Sequence, residues 1–138
     1  MKIEEKVVIA KYAAALIEKD DFVYRCRVFL PGGELKEVTE AIVGAQAIDS
    51  LKRYNFTKGF FGANGVHRER GLTTPDITEA LVKEKAMEQC ANRYVLADST
   101  KINQISSVTF AGFEEGMILT TRLRDAPYKA CKNILEVG

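Results

Sequence analysis

Apolar positions early in the chain recur at helical spacing: Ile3, Val7, Ala10, Ala14 and Ile17 share a face, with Lys6, Lys11 and Glu18 between them. The pattern predicts an amphipathic helix over 3–17 that ends before Asp20-Asp21. From Phe22 to Leu30 the residues turn β-branched and aromatic until Pro31-Gly32-Gly33 interrupts them, which predicts one long strand or two fused ones. Ile42, Val43, Ala47, Ile48 and Leu51 mark a second helix, over 40–54, with Arg53 near the end that favours cations. A short strand over 57–62 runs into a glycine-containing loop over 63–74. Asp76-Ile77-Thr78-Glu79 has the spacing of a capping box, so a helix is expected over 75–91. Strands are expected over 93–97, 108–110 and 117–120, a polar loop over 98–101, and a last helix over 126–135.

Strands alternating with helices of this length imply an α/β fold, a layered sheet whose parallel strands are joined by crossover helices. In such sheets ligands collect beyond the carboxyl ends of the strands. That rule selects three loops: 31–35, 62–74 and 98–101. At 138 residues the chain fits one domain, and 46% hydrophobic with 28% charged residues is the balance of a globular protein. Twenty Lys+Arg against 19 Asp+Glu leave a net charge of +1. Such a scattered charge argues against free-standing recognition of duplex DNA, which needs a concentrated basic face. No apolar run approaches the ~20 residues of a membrane span, and the acidic start Glu4-Glu5 is unlike a signal peptide. Cys26, Cys90 and Cys131 form an odd set without a CxxC pair, so neither a disulfide framework nor a zinc site is expected, and a cytoplasmic location is.

The loops offer modest chemistry. Gly62-Ala63-Asn64-Gly65 follows an apolar strand and could form an anion-binding nest beside the capped helix start near Thr74, or it could be an ordinary turn. Glu79 and Lys83, four apart on a helix, read either as a solvated ion pair or as a crevice pair, with Lys83 meeting an anion and Glu79 a sugar hydroxyl. Asp98, Ser99 and Lys101 allow a similar choice between capping and ligand contact. His67, the single histidine, has no ligand cluster around it and reads as a surface residue. No GxSxG, HExxH, P-loop or GxGxxG signature is present.

Taken in order, Phe29-Leu30-Pro31-Gly32-Gly33-Glu34-Leu35-Lys36, Thr39 to Gly44, Phe61-Gly62-Ala63-Asn64-Gly65-Val66, Gly71-Leu72-Thr73-Thr74-Pro75-Asp76, Glu79 to Lys83 and Val95 to Lys101 closely resemble the C-terminal effector domain of DeoR-type transcriptional regulators. Repressors of lactose and fructose phosphotransferase operons are members of that family. Residues 5–13 resemble its linker-proximal helix, so the likeness spans nearly the whole chain. The resemblance implies a fold related to sugar-phosphate isomerases and coenzyme A transferases, used to sense a phosphorylated sugar. Carried over by motif, the ligand site would use Gly32, Gly33, Gly62, Ala63, Asn64, Gly65, Thr73, Thr74, Glu79, Lys83, Asp98 and Lys101, with no metal and no cofactor. Isomerases of this fold place acidic residues in the loop matching 62–66. Asn64 cannot act as a carboxylate base, so binding without turnover is expected.

Two departures from the family pattern stand out. The family's winged helix-turn-helix has no counterpart in these 138 residues, so specific DNA contact is expected only through such a domain. Around Tyr24 to Arg27 the chain also passes directly from the family's first strand to a later one, without the Gly-Thr-Thr loop and the helix and strand that follow it. A partial sensor domain is therefore expected over 1–138, with sheet edges left open and a tendency to form homo-oligomers. The alternatives are a truncated copy that acts only by oligomerising, or a small isomerase-like enzyme.

Overall fold

The computed structural model describes residues 3–26, 38–40 and 45–138. Along them run α1 (Ile3–Ala15), β1 (Val23–Cys26), β2 (Val38–Glu40), α2 (Ala45–Leu51), β3 (Phe56–Gly62), β4 (Gly65–His67), β5 (Gly71–Thr74), α3 (Ile77–Glu88), β6 (Cys90–Leu96), β7 (Val108–Ala111), β8 (Met117–Thr120), α4 (Ala126–Lys129) and β9 (Ile134–Glu136). Single 3-10 turns lie at Ser99–Lys101 and Phe113–Glu115. Six strands form one sheet in the order β2-β1-β3-β6-β8-β9, every neighbouring pair parallel. A second, antiparallel sheet has the order β4-β5-β7.

The parallel sheet is covered on both faces, and its strands show this residue by residue. Val23, Phe60 and Leu119 pack with Ile9 and Ala13 of α1 on one face. Their chain neighbours Tyr24, Phe61 and Ile118 turn to the other face, against Ala80, Val82, Ala86 and Met87 of α3 and Leu51 of α2. Successive side chains of a strand point to opposite sides, and a sheet with helices on both sides needs apolar residues at both. Tyr24 stacks on Phe61 with ring centroids 5.4 Å apart and meets the edge of Phe56 at 5.3 Å.

Several expectations shift. In α1 the buried face is Glu5, Ile9, Ala10 and Ala13, while Val7 stays 36% exposed, so the helix is rotated from the predicted face. The cause is Glu5, a charged residue at a position that helical spacing from Ile9 and Ala13 assigns to the interior. Glu40, expected to begin a helix, ends β2, and α2 starts at Ala45. The strand β6 begins at Cys90 inside the stretch expected to be helical, and α3 stops at Glu88. The predicted loop over 63–74 is largely the hairpin β4-β5. The last helix is one turn, and Ile134–Glu136 instead pairs with Ile118, Leu119 and Thr120 as an edge strand. In the strand cases, pairing with a neighbouring strand overrides local periodicity. Gly32, Gly33 and the expected end of the first strand lie outside the described residues.

A mostly buried ion pair fixes the turn between α1 and β1. The Lys58 ammonium donates to the Leu16 carbonyl (2.8 Å) and to Asp21 Oδ2 (2.7 Å), with both charged side chains 12% exposed. Burial alone would raise the Asp21 pKa, but the Lys58 bond and the Glu18 amide outweigh it and hold the carboxyl below its usual range. The same bond, acting against burial, raises the pKa of Lys58. A depressed Asp contributes stability above its unfolded pKa of about 3.9, which is lost as pH falls through the lower folded value. A raised Lys contributes below about 10.4, and that contribution is lost as pH rises through the higher folded value. The pair should therefore stabilise fully between about pH 4 and pH 10. Asp21→Asn should lower stability at pH 7 by about 1.5–3 kcal/mol and flatten the acid limb. Urea unfolding of both proteins at pH 7 and at pH 3 checks this, and an unchanged acid limb would count against it.

Among the described residues no helix is long and apolar enough to cross a membrane. Cys90 is buried, donates its thiol to the Ala86 carbonyl (3.1 Å), and has its pKa pushed up to about 12 by burial, so it is chemically quiet.

Candidate functional site

The carboxyl end of β3 is the centre of the site. Gly62 closes that strand, and among the described residues a Cβ there would meet nothing within 4 Å. From Gly62 the chain passes through Ala63 and Asn64 into the hairpin. Its three-residue turn, Arg68-Glu69-Arg70, ends on Gly71 at φ +83°, a position favouring glycine. His67 has a structural task here: Nδ1 accepts from the Glu69 and Arg70 amides, both at 3.2 Å.

Thr73 locks the base of the hairpin. Its hydroxyl donates to the Gly65 carbonyl (3.1 Å) and accepts from the Ser106 amide (2.8 Å), and the side chain is fully buried. Gly65 is needed for close approach, since a Cβ there would stand 2.5 Å from the Gln104 carbonyl oxygen and 2.6 Å from Thr73 Oγ1. Thr74 Oγ1 donates to Asn64 Oδ1 at 3.4 Å, and the Asn64 amide donates to the Thr73 carbonyl at 2.9 Å.

The helix α3 begins on Asp76, whose Oδ2 accepts from the Glu79 amide (3.1 Å). Helical side chains lean towards the N-terminus, and this brings Lys83 back to the strand end. Its ammonium donates to the Gly62 carbonyl at 2.8 Å, lies 5.1 Å from the centroid of the Phe110 ring, and has Glu79 Oε1 at 3.9 Å. Lys83 is only 4% exposed. The solvated-pair reading of Glu79 and Lys83 therefore fails for the lysine, which is buried at the end of β3.

Asp98 follows β6 and is buried. Its Oδ1 accepts from the Thr100 amide (2.9 Å) and from the Thr100 hydroxyl, capping the Ser99–Lys101 turn. The turn is tied to the hairpin by a bridge between Val66 and Ile102 and by the Asn103 amide donating to the Val66 carbonyl at 2.7 Å. Thus Gly62 to Gly65, Thr73, Thr74, Glu79 and Lys83 come together, and the turn from Asp98 to Lys101 is fastened beside their hairpin.

Glu5 was missed by sequence reasoning. It crosses from α1 to the same end of the sheet, where its Oε1 accepts from the Ser99 amide (3.1 Å) and from the Thr121 hydroxyl. Burial would raise its pKa, but these bonds and the positive Arg122 lower it on balance, keeping it a carboxylate. Arg122 has φ 50°, uncommon for a non-glycine residue, and lines with Ser99, Leu123 and Arg124 a cavity of about 310 Å³. A separate cavity of about 680 Å³ opens between the hairpin tip and the Tyr128 region, where Phe113 meets the Tyr128 edge at 5.9 Å. Its rim mixes Arg68 and Lys132 with Glu69, Glu114 and Asp125, a balance that selects no single ligand charge. Among the described residues no group of three or more His, Cys, Asp or Glu could hold a metal ion.

A buried ammonium, hydroxyls and glycine backbone at the carboxyl end of a parallel sheet suit a small polar anion. A family model described as the DeoR C terminal sensor domain matches residues 24–122. The chain is 46% identical over 107 residues to the uncharacterized HTH-type transcriptional regulator FruR of Bacillus subtilis, which covers 78% of this chain and 41% of that protein. It is 39% identical over 105 residues to the HTH-type transcriptional regulator GlpR of Haloferax volcanii, covering 76% of this chain and 39% of that one. It is 34% identical over 89 residues to the lactose phosphotransferase system repressor of Staphylococcus aureus, covering 64% and 35%. The chain thus spans roughly two fifths of the length of the relatives it matches.

Proposed function

The chain belongs to the family of DeoR C-terminal sensor domains, and from that premise we propose that it binds a phosphorylated sugar as a signal, without turning it over, in a cytoplasmic regulator of sugar metabolism. The observation that carries this reading is Lys83, a cation buried at the carboxyl end of β3 and held on the Gly62 carbonyl. An ammonium has three donors, and Gly62 takes one. Asn64 stands where an isomerase of this fold would need a carboxylate, which supports binding rather than catalysis. Binding would favour one of two arrangements and so bias a DNA-binding domain working with this one. Operator contact would belong to that other domain.

Isothermal titration with a panel of hexose and pentose phosphates tests the reading, with the unphosphorylated sugars as controls. Heat from at least one phosphate and none from its parent sugar is expected, and silence across the panel would sink the proposal. Turnover of ribose 5-phosphate by the purified protein would favour the enzyme instead. Gly62→Leu gives a second check. Among the described residues nothing lies within 4 Å of a Cβ there, so stability should stay within about 0.5 kcal/mol of the parent while the titration heat is lost. Full affinity in that variant would move the ligand away from Gly62.

A second reading, a shortened copy acting through self-association, has an observation behind it. Residues 27–37 are all that separate the parallel neighbours β1 and β2, close to the lower limit of about a dozen residues for a crossover. This supports an internal piece missing near Tyr24 to Arg27. Light scattering decides it: a strict monomer at micromolar concentration would rule out action through homo-oligomers.

A further inference from the structure

Two attachments of different kinds hold α1 to the sheet. Most of its contact is apolar: Ile9 and Ala13 pack on Val23, Phe60, Leu119 and Val137. Apolar contacts are non-directional and do not fix a helix along its axis. Near its amino end the fixing is done by one carboxylate. Glu5, 3% exposed, receives the Ser99 amide at 3.1 Å and the Thr121 hydroxyl on a single oxygen, Oε1. Its other oxygen, Oε2, is buried and has no hydrogen-bond partner among the described residues. A half-satisfied buried carboxylate is expensive to keep. An apolar residue at position 5 would continue the Ile9 and Ala13 stripe but would leave the Ser99 amide and the Thr121 hydroxyl without their acceptor, so what the glutamate adds is the tie between α1 and those two groups.

Among the described residues, Glu5 joins α1 by a hydrogen bond to the 98–101 turn. Ser99 is the first residue of the turn that Asp98 caps through Thr100, and the Lys101 amide closes the turn on the Asp98 carbonyl at 3.0 Å. We propose that Glu5 is a positioning residue that makes the seating of α1 and the shape of the 98–101 turn a single equilibrium, so that occupancy of the crevice is felt at α1. The inference rests on the sensor reading for its purpose, but the linkage itself exists with or without ligand. Movement of the Ser99 amide away from Oε1 leaves the carboxylate with the Thr121 hydroxyl alone and loosens α1. An anion that draws in the turn holds the amide in place and tightens it.

Amide exchange of the intact chain, followed by mass spectrometry over peptides 3–15 and 98–104, reads this directly. Asp98→Ala loosens the turn from its own cap and should speed exchange in peptide 3–15 by about tenfold, although among the described residues Asp98 makes no hydrogen bond to α1. Glu5→Ala should speed both peptides by a similar factor, and adding Asp98→Ala to it should change peptide 3–15 no further, the signature of coupled sites. Glu5→Gln, which keeps an acceptor at Oε1, should restore most of the protection. Independent, additive effects, or a peptide 3–15 indifferent to Asp98→Ala, would overturn the linkage. If Glu5→Ala does not fold, Thr121→Val removes one of the two bonds and should give the same pattern at smaller amplitude. A sugar phosphate that binds, added at saturation, should slow peptide 3–15 in the parent protein and not in Glu5→Ala. Absence of binding in the parent protein would defeat the sensor reading while leaving the mutant comparison to decide the linkage.

Discussion

Lys83→Met should weaken binding of a phosphorylated sugar by about 10–100-fold, the equivalent of the ~1.5–3 kcal/mol that a charge-assisted hydrogen bond contributes. Methionine keeps an unbranched apolar stem against the Phe110 ring and deletes the ammonium, its charge and its donors together. The Gly62 carbonyl then loses its donor, so stability should also drop, by about 1–3 kcal/mol. The two effects separate cleanly, because titration is run on the folded population and stability is read from urea unfolding. Unphosphorylated sugar should not distinguish the variant from the parent. Unchanged affinity for the phosphate would take Lys83 out of the site, and the crevice would then have to draw its positive potential from the α3 amino end and Lys101.

The second large effect is expected in the sheet. Phe61 is fully buried in β3, between β1 and β6, stacked on Tyr24 and one residue before Gly62. Phe61→Ala should cost about 3–5 kcal/mol, from lost burial and a cavity that surrounding strands cannot close. For a domain of this size that lowers the melting temperature by roughly 10–20 °C. Phe61→Leu should lose much less. A fall of only a degree or two in the alanine variant, measured by thermal melting, would mean that the sheet centre collapses around the vacancy. Because Gly62 is carried on the same strand, the alanine variant should also bind sugar phosphate poorly at temperatures where it is still folded.

Much of this architecture could be read from residue order alone, and the exceptions share a cause. The apolar alternation in Phe60-Phe61, Tyr94-Val95 and Ile118-Leu119 identifies strands buried on both faces, and the Asp76 cap places the start of α3 within two residues. Four strands escaped. Val38–Glu40, Gly65–His67, Gly71–Thr74 and Ile134–Glu136 are three or four residues each, too short for a period of two to register, and each is held by pairing with another strand. For the site, the i,i+4 spacing of Glu79 and Lys83 was visible, whereas the burial of Lys83 was not. That depends on Gly62 ending β3 beneath it, a fact of tertiary packing. Glu5 was hidden for the opposite reason. A carboxylate in the first turn of a helix is ordinarily a solvated partner of the helix dipole, and its partners here lie 94 and 116 positions away.

The rotation of α1 has a practical consequence for anyone building chimeric biosensors on this scaffold. Val7, Val8 and Tyr12 face outward at 36–38% exposure, while Glu5, Ile9 and Ala13 face the sheet. A foreign reporter or head domain fused as a continuous helix inherits the angular phase set by residue 5, so one inserted residue turns the cargo by about 100° and two by about 200°. Junctions placed ahead of Glu4 and stepped one residue at a time would therefore sweep the cargo around the helix axis in regular increments, and signal output should rise and fall with a period close to one helical turn.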